Sequence, residues 1–98
     1  MNGMEAEYAV QLEARKRAGA IVAYWYEAQT MKLAHDTRYT PDFLVQLPNG
    51  EMELHEVKGF WREDAKIKAK VCASLYPYPV YIAQRMRGGG FTVQLVEA

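Results

Sequence analysis

The reading of this chain turns on residues 42–58: Asp42-Phe43-Leu44-Val45-Gln46-Leu47, then Pro48-Asn49-Gly50-Glu51, then Met52-Glu53-Leu54-His55-Glu56-Val57-Lys58. Two runs of strand-forming residues flank a Pro-Asn-Gly turn signal, which predicts a β-hairpin. The hairpin can close in two registers. A two-residue Asn49-Gly50 turn pairs Pro48 with Glu51 and sets Phe43 opposite Glu56. A three-residue Pro48-Asn49-Gly50 loop pairs Leu47 with Glu51 and sets Asp42 opposite Glu56. The second suits the residues better, because proline favours the second position of a type I turn and Gly50 can take the left-handed bulge position that follows. Residues i and i+2 of a strand share a face, so Glu56 and Lys58 point the same way as Met52 and Leu54, while Glu51, Glu53 and His55 fill the opposite face. The turn chemistry thus predicts two carboxylates, Asp42 and Glu56, and one ammonium, Lys58, at one spot on the apolar side of the strand. Ionised groups facing an interior are costly unless paired or holding a metal. His55, facing away from Lys58, reads as a surface strand residue rather than a catalytic base.

Outward from the hairpin, residues 4–18 read as an amphipathic helix, with Met4, Tyr8 and Leu12 at i, i+4, i+8 and Gly19 as its stop. At 100° per residue, Glu5 falls at about 100° from Met4, inside the apolar stripe, whereas Glu13 near about 180° and Glu7 near about 300° lie on its flanks. Glu5 is therefore the acid of this helix expected to look inward. Residues 21–26 read as a strand, and 29–40 as an irregular segment with a short strand around 31–33. Residues 62–75 read as a second helix with Ile67, Val71 and Leu75 as its apolar stripe, ended by Pro77 and Pro79. Residues 80–85 and 91–96 read as strands joined by the Gly88-Gly89-Gly90 turn. The order α-β-β-β-α-β-β predicts an α/β fold: one mixed sheet of four to five strands with two helices packed on it. Tyr76 and Tyr78 are expected to seal the sheet, and at least one of Phe60 and Trp61 to enter the core.

The 98 residues make a single domain, 1–98, with a composition of 50% apolar and 24% charged residues that argues against wholesale disorder. One cysteine, Cys72, excludes a disulfide framework within the chain and favours a reduced, cytoplasmic setting. The first ten residues carry Glu5 and Glu7 but no Lys or Arg, the wrong start for a secretory signal, and no stretch is apolar for long enough to span a bilayer. The net charge is zero, but unevenly spread. Between residues 42 and 56 the charges Asp42, Glu51, Glu53 and Glu56 are all acidic; between 58 and 87, seven basic residues oppose Glu63 and Asp64, net plus five. An acidic centre beside a basic flank suits a metal-dependent enzyme acting on a polyanion.

Pro41-Asp42 followed by Glu56-Val57-Lys58 resembles the PD-(D/E)xK nuclease superfamily. The resemblance covers nearly the whole chain, because the order α-β-β-β-α-β matches that superfamily's core. The stretches Tyr39-Thr40-Pro41-Asp42-Phe43 and His55-Glu56-Val57-Lys58-Gly59-Phe60 look like those of small phage and prophage endonucleases of the Holliday-junction-resolving type. The resemblance implies a restriction-endonuclease-like fold, with 1–98 as the nuclease catalytic domain. It implies that Asp42, Glu56 and the backbone carbonyl of Val57 ligate a metal, that Lys58 is the catalytic lysine, and that Glu5 is the first-helix glutamate of the site. The expected function is metal-dependent hydrolysis of DNA phosphodiesters, structure-selective for branched or junction DNA, in phage recombination or DNA processing. The setting would be the bacterial host cytoplasm if the chain is phage-encoded.

Clustered carboxylate oxygens suit Mg²⁺ or Mn²⁺. His35, His55 and Cys72 lack zinc-site spacing, and the glycine triplet lacks the Lys-Ser/Thr of a phosphate loop, so no nucleotide cofactor is expected. On the second helix Arg62, Lys66 and Lys70 form a basic row at i, i+4, i+8 that could track a phosphate backbone, with Arg85 and Arg87 beside the glycine turn as further contacts. A chain this short is expected to act on DNA as a homodimer, with no membrane partner. The alternative is a catalytically inactive or partner-dependent nucleic-acid-binding module of the same fold.

Overall fold

The computed structural model describes residues 1–60 and 63–98; Trp61 and Arg62, both named above, lie outside the described residues. The first helix, α1, spans Gly3–Arg17. Asn2 caps it by accepting the Glu5 N–H at 2.8 Å, while the Glu5 carboxylate accepts the Asn2 N–H at 2.8 Å, a reciprocal capping box. At the other end Gly19 takes φ +81°, and the bonds Gly19 N–H to Lys16 and Ala20 N–H to Arg15 close a Schellman motif. The predicted stripe is the buried one: Tyr8 and Leu12 are wholly enclosed, with Met4 packed beside them.

The strands are β1 (Ala23–Tyr26), β2 (Met31–Ala34), β3 (Thr37–Tyr39), β4 (Phe43–Gln46), β5 (Met52–Lys58), β6 (Val80–Arg85) and β7 (Phe91–Leu95), with α2 (Glu63–Leu75) between β5 and β6. The main sheet has the order β1-β4-β5-β6-β7. Only β5 and β6 pair in parallel, as their crossover through α2 requires. The hairpin closes in the three-residue register. Phe43 pairs with His55 and Gln46 with Met52, Leu47 N–H bonds Glu51 at 2.8 Å, and Gly50 takes φ +90°. One step beyond Phe43, Asp42 falls opposite Glu56.

The segment 29–40 is more ordered than its sequence predicts. β2 and β3 form a separate two-stranded hairpin, turned at His35-Asp36 with Asp36 at φ +58°. A turn without glycine and strands of three or four residues gave no alternation long enough to read.

Both faces of the main sheet are covered. Tyr8 and Leu12 of α1 pack on Phe43, Val45, Val57 and Ala83; Ala69 and Cys72 of α2 pack on Leu54, Val80 and Ile82, with Met31 and Tyr39 of the small hairpin. This double cover corrects two expectations. His55 is not a surface residue: it is 3% exposed, beneath α1. Its Nδ1 meets the Tyr8 hydroxyl at 2.7 Å and its Nε2 meets Glu53 Oε1 at 2.9 Å. The apolar stripe of α2 was also misphased. Ile67 and Leu75 are 54% and 55% exposed, and the helix turns its small residues Ala69 and Cys72 to the sheet. Small side chains let a helix sit close to a sheet, and here close approach outweighs the larger transfer energy of the branched residues. Tyr76 packs against the α2-side core as expected, whereas Tyr78 is 38% exposed. Among the described residues no helix is long and apolar enough to cross a membrane.

Candidate active site

The Asp42, Glu56 and Lys58 set predicted from the hairpin register gathers where β4 begins and β5 ends. Asp42 is fixed at two points. Its carbonyl accepts the Glu27 N–H at 2.8 Å, and its Oδ2 accepts the Val57 N–H at 2.8 Å. The side chain thus substitutes for the next rung of the β4–β5 ladder. Glu56, only 7% exposed, has both oxygens engaged: Oε1 accepts the Tyr39 hydroxyl at 2.9 Å, and Oε2 pairs with Lys58 Nζ at 3.1 Å. Lys58 shares the Glu56 face, as the i, i+2 argument requires.

Glu5 joins from α1. Its Oε1 accepts the Asn2 N–H and the Tyr26 hydroxyl, the latter at 2.9 Å, and its carboxyl interacts with that of Asp42 across the cleft they both line. Glu7 and Glu13 do not join. Glu7 pairs with Arg85, and Glu13 binds Arg17 and the Tyr24 hydroxyl. Of the three glutamates, Glu5 is the one that lines the Asp42 cleft, the inward position its helix phase predicts.

The electrostatics follow from this crowding. Burial, then the nearby Glu56 charge, push the Asp42 carboxyl up from 3.8 to about 7. Burial works to raise Glu5 too, but the Asn2 N–H, the Tyr26 hydroxyl and Asp42 outweigh it and hold Glu5 below its usual value. Burial and the Glu56 charge drive the Tyr39 phenol far above the usual tyrosine range, so Tyr39 stays a donor to Glu56.

Glu5, Asp42, Val57, Lys58, Gly59 and Phe60 line an open cleft of about 440 Å³, with Phe60 67% exposed on it rather than in the core. Three carboxylates stand here against one ammonium. Among the described residues no group of three or more His, Cys, Asp or Glu side chains stands where it could hold a metal ion. The donors are nonetheless those of a hard cation, and Mg²⁺ commonly takes only one or two carboxylates and keeps its waters. The carboxylates of Asp42 and Glu5 are donors of the type such an ion takes.

Of the basic residues, Lys66 and Lys70 are exposed on α2 and line a groove with Gln94 and Glu97, on the α2 side of the sheet. Arg62 lies outside the described residues. Arg85 and Arg87 line a second cleft on the α1 side. Two site residues were missed from sequence, the phenol donors Tyr26 and Tyr39. Tyr39 stood within the quoted Tyr39-Thr40-Pro41-Asp42 stretch, but its role depends on the unread β3 strand. Tyr26 reaches Glu5 because β1 pairs with β4, Tyr26 opposite Phe43, a long-range pairing with no local signal.

The family described as "Protein of unknown function (DUF1064)" matches residues 3–86, most of the chain, with Glu5, Asp42, Glu56 and Lys58 inside the match. Neither the comparison with curated proteins nor that with solved structures finds a match.

Proposed function

We propose that this chain, which belongs to the DUF1064 family, is a metal-dependent endonuclease that hydrolyses DNA phosphodiester bonds at the Asp42 cleft. One observation carries the reading: Asp42 is held against Glu5 and Glu56 with Lys58 as the sole cation among the described residues of the cluster, an excess of negative charge that a divalent ion would neutralise. The Pro41-Asp42 and Glu56-Val57-Lys58 pattern, similar to that of PD-(D/E)xK nucleases, supports it.

In this reading Asp42 and Glu56, with the Val57 carbonyl and Glu5 at the rim, hold Mg²⁺ or Mn²⁺. The ion supplies polarisation of the scissile phosphate and a more acidic water. Tyr39 and the Val57 N–H fix the directions of the two main carboxylates, so that little reorganisation remains during reaction. Lys58, 29% exposed at its side chain, lines the cleft, and its charge would offset that gathering on the phosphorus oxygens of a phosphate bound there. Cutting of branched or junction DNA by a homodimer, in phage recombination or DNA processing within the bacterial host cytoplasm, belongs to the same proposal.

One observation favours a second reading, an inactive or partner-dependent nucleic-acid-binding module. Both Glu56 oxygens already have protein partners, as in a purely structural ion pair. Incubation with DNA in Mg²⁺ separates the two. The nuclease reading expects chelator-sensitive cutting that Glu56→Gln abolishes; the module expects binding without cutting, or cutting only when a partner is added.

A further inference from the structure

The cleft that holds Asp42 does not end at Gly59. Met4 and Gly59 also line an adjoining cleft of about 680 Å³, which runs on to Glu7, Arg85, Met86 and Arg87. The strand register explains the continuity. Lys58 pairs with Gln84 across β5–β6, and the residues that follow them, Gly59 and Arg85, line the same cleft. Gly59 contributes no side chain to the floor of the passage, and the Met4 thioether is its nearest side-chain neighbour.

At the far end Arg85 presents its guanidinium edge to Glu7: Nε reaches Oε2 at 2.7 Å and Nη2 reaches Oε1 at 3.2 Å. This fork geometry is the one that also receives a phosphate. The two side chains are 41% and 50% exposed, so solvent and an incoming anion can reach the pair. Arg87 follows on the same cleft.

We propose that the groove over Gly59 carries the phosphodiester backbone of the bound nucleic acid away from the acid cluster, with Arg85 and Arg87 as its phosphate contacts, and that Glu7 occupies Arg85 until a phosphate displaces it. The inference rests on the nuclease reading and deepens it: the track lies on the α1 side, not along the α2 row. Glu7 is then a brake on binding, a carboxylate standing where a phosphate would.

The test is affinity for a short fluorescein-labelled DNA duplex, with an RNA duplex of the same sequence in parallel, in Ca²⁺ across a salt series. Arg85→Ala and Arg87→Ala should each weaken binding and flatten the salt dependence of log K by about 0.9. Glu7→Gln should tighten binding several-fold in the parent and change nothing in the Arg85→Ala background. Tightening of equal size in both backgrounds would overturn the brake. Unchanged slopes in the arginine variants, with loss on Lys66→Ala and Lys70→Ala, in a protein that still cuts in Mg²⁺, would move the track to α2 and leave the nuclease reading standing. A parent that neither binds nor cuts either duplex would sink both.

Discussion

The Asp42 carboxylate accepts the backbone N–H of Val57 at 2.8 Å, so the residue that precedes β4 caps the ladder of β5. This group both completes a sheet and faces a cleft, and substitutions can separate its hydrogen bond from its charge. Asparagine keeps the acceptor for Val57 and removes the charge.

Asp42→Asn should therefore stabilise the metal-free protein at neutral and alkaline pH. In the folded chain the carboxyl is pushed from 3.8 to about 7, first by burial and then by Glu56. Between those values the native state keeps a proton that the unfolded chain has released, so stability falls as the pH rises through the window and stays lower above it. The variant escapes this loss. Its advantage should be on the order of 1 kcal/mol above pH 7, after discounting for solvent in the open cleft, and should vanish near about pH 4. Thermal melts in chelator across pH measure it. Added Mg²⁺ should raise the melting temperature of the parent more than that of the variant.

Tyr39→Phe should destabilise the fold by about 1–3 kcal/mol, because it removes one donor from the buried Glu56 carboxylate while sparing the ring's packing. Urea unfolding gives the number. A midpoint equal to the parent's would mean that solvent reaches Glu56 and replaces the phenol.

Tyr8→Phe probes the network on the other face, where Arg15 Nη1 also reaches the Tyr8 hydroxyl at 3.3 Å. Removing that hydroxyl leaves His55 Nδ1 without its partner in a closed interior, at a cost of about 1–3 kcal/mol. The cleft acids are untouched, so cleavage by the folded fraction should match the parent's. Loss of cleavage at full folding would bring His55 into the chemistry.

How much of this was legible in the sequence depended on range. The Pro48-Asn49-Gly50 loop fixed a local register, and that register brought Asp42 opposite Glu56. The period of Met4, Tyr8 and Leu12 phased α1 well enough to pick Glu5 from three glutamates. Reading failed where an outcome depended on distant partners. His55 looked solvated because β5 was taken as covered on one face only, whereas α1 packs over it. Ile67 and Leu75 looked buried because their spacing with Val71 marks an apolar stripe, whereas α2 turns Ala69 and Cys72 to the sheet. Tyr26 and Tyr39 carry no signal without the β1–β4 pairing and the small hairpin.

Glu5→Gln should slow cleavage roughly 10²-fold or more, whereas Glu13→Gln should leave it near the parent rate. Glutamine still closes the capping box with Asn2, so the loss would report charge at the cleft rather than a frayed helix. Glu13 binds Tyr24 and Arg17, away from the Asp42 cluster. Cleavage rates with helicity checked by circular dichroism decide it, and an inactive Glu13→Gln beside an active Glu5→Gln would reassign the third acid.

The most direct measurement is the initial rate of strand cutting on a panel of junction, flap, nicked and linear DNA, in Mg²⁺ and in Mn²⁺, by the parent, Asp42→Asn and Lys58→Met. The nuclease account predicts chelator-sensitive cutting by the parent, fastest on branched substrates. It predicts loss of turnover in both variants, with DNA affinity retained by Lys58→Met. Cutting by Asp42→Asn and Lys58→Met at the parent rate, or a folded, DNA-binding parent that cuts nothing on the panel in either metal, would contradict it.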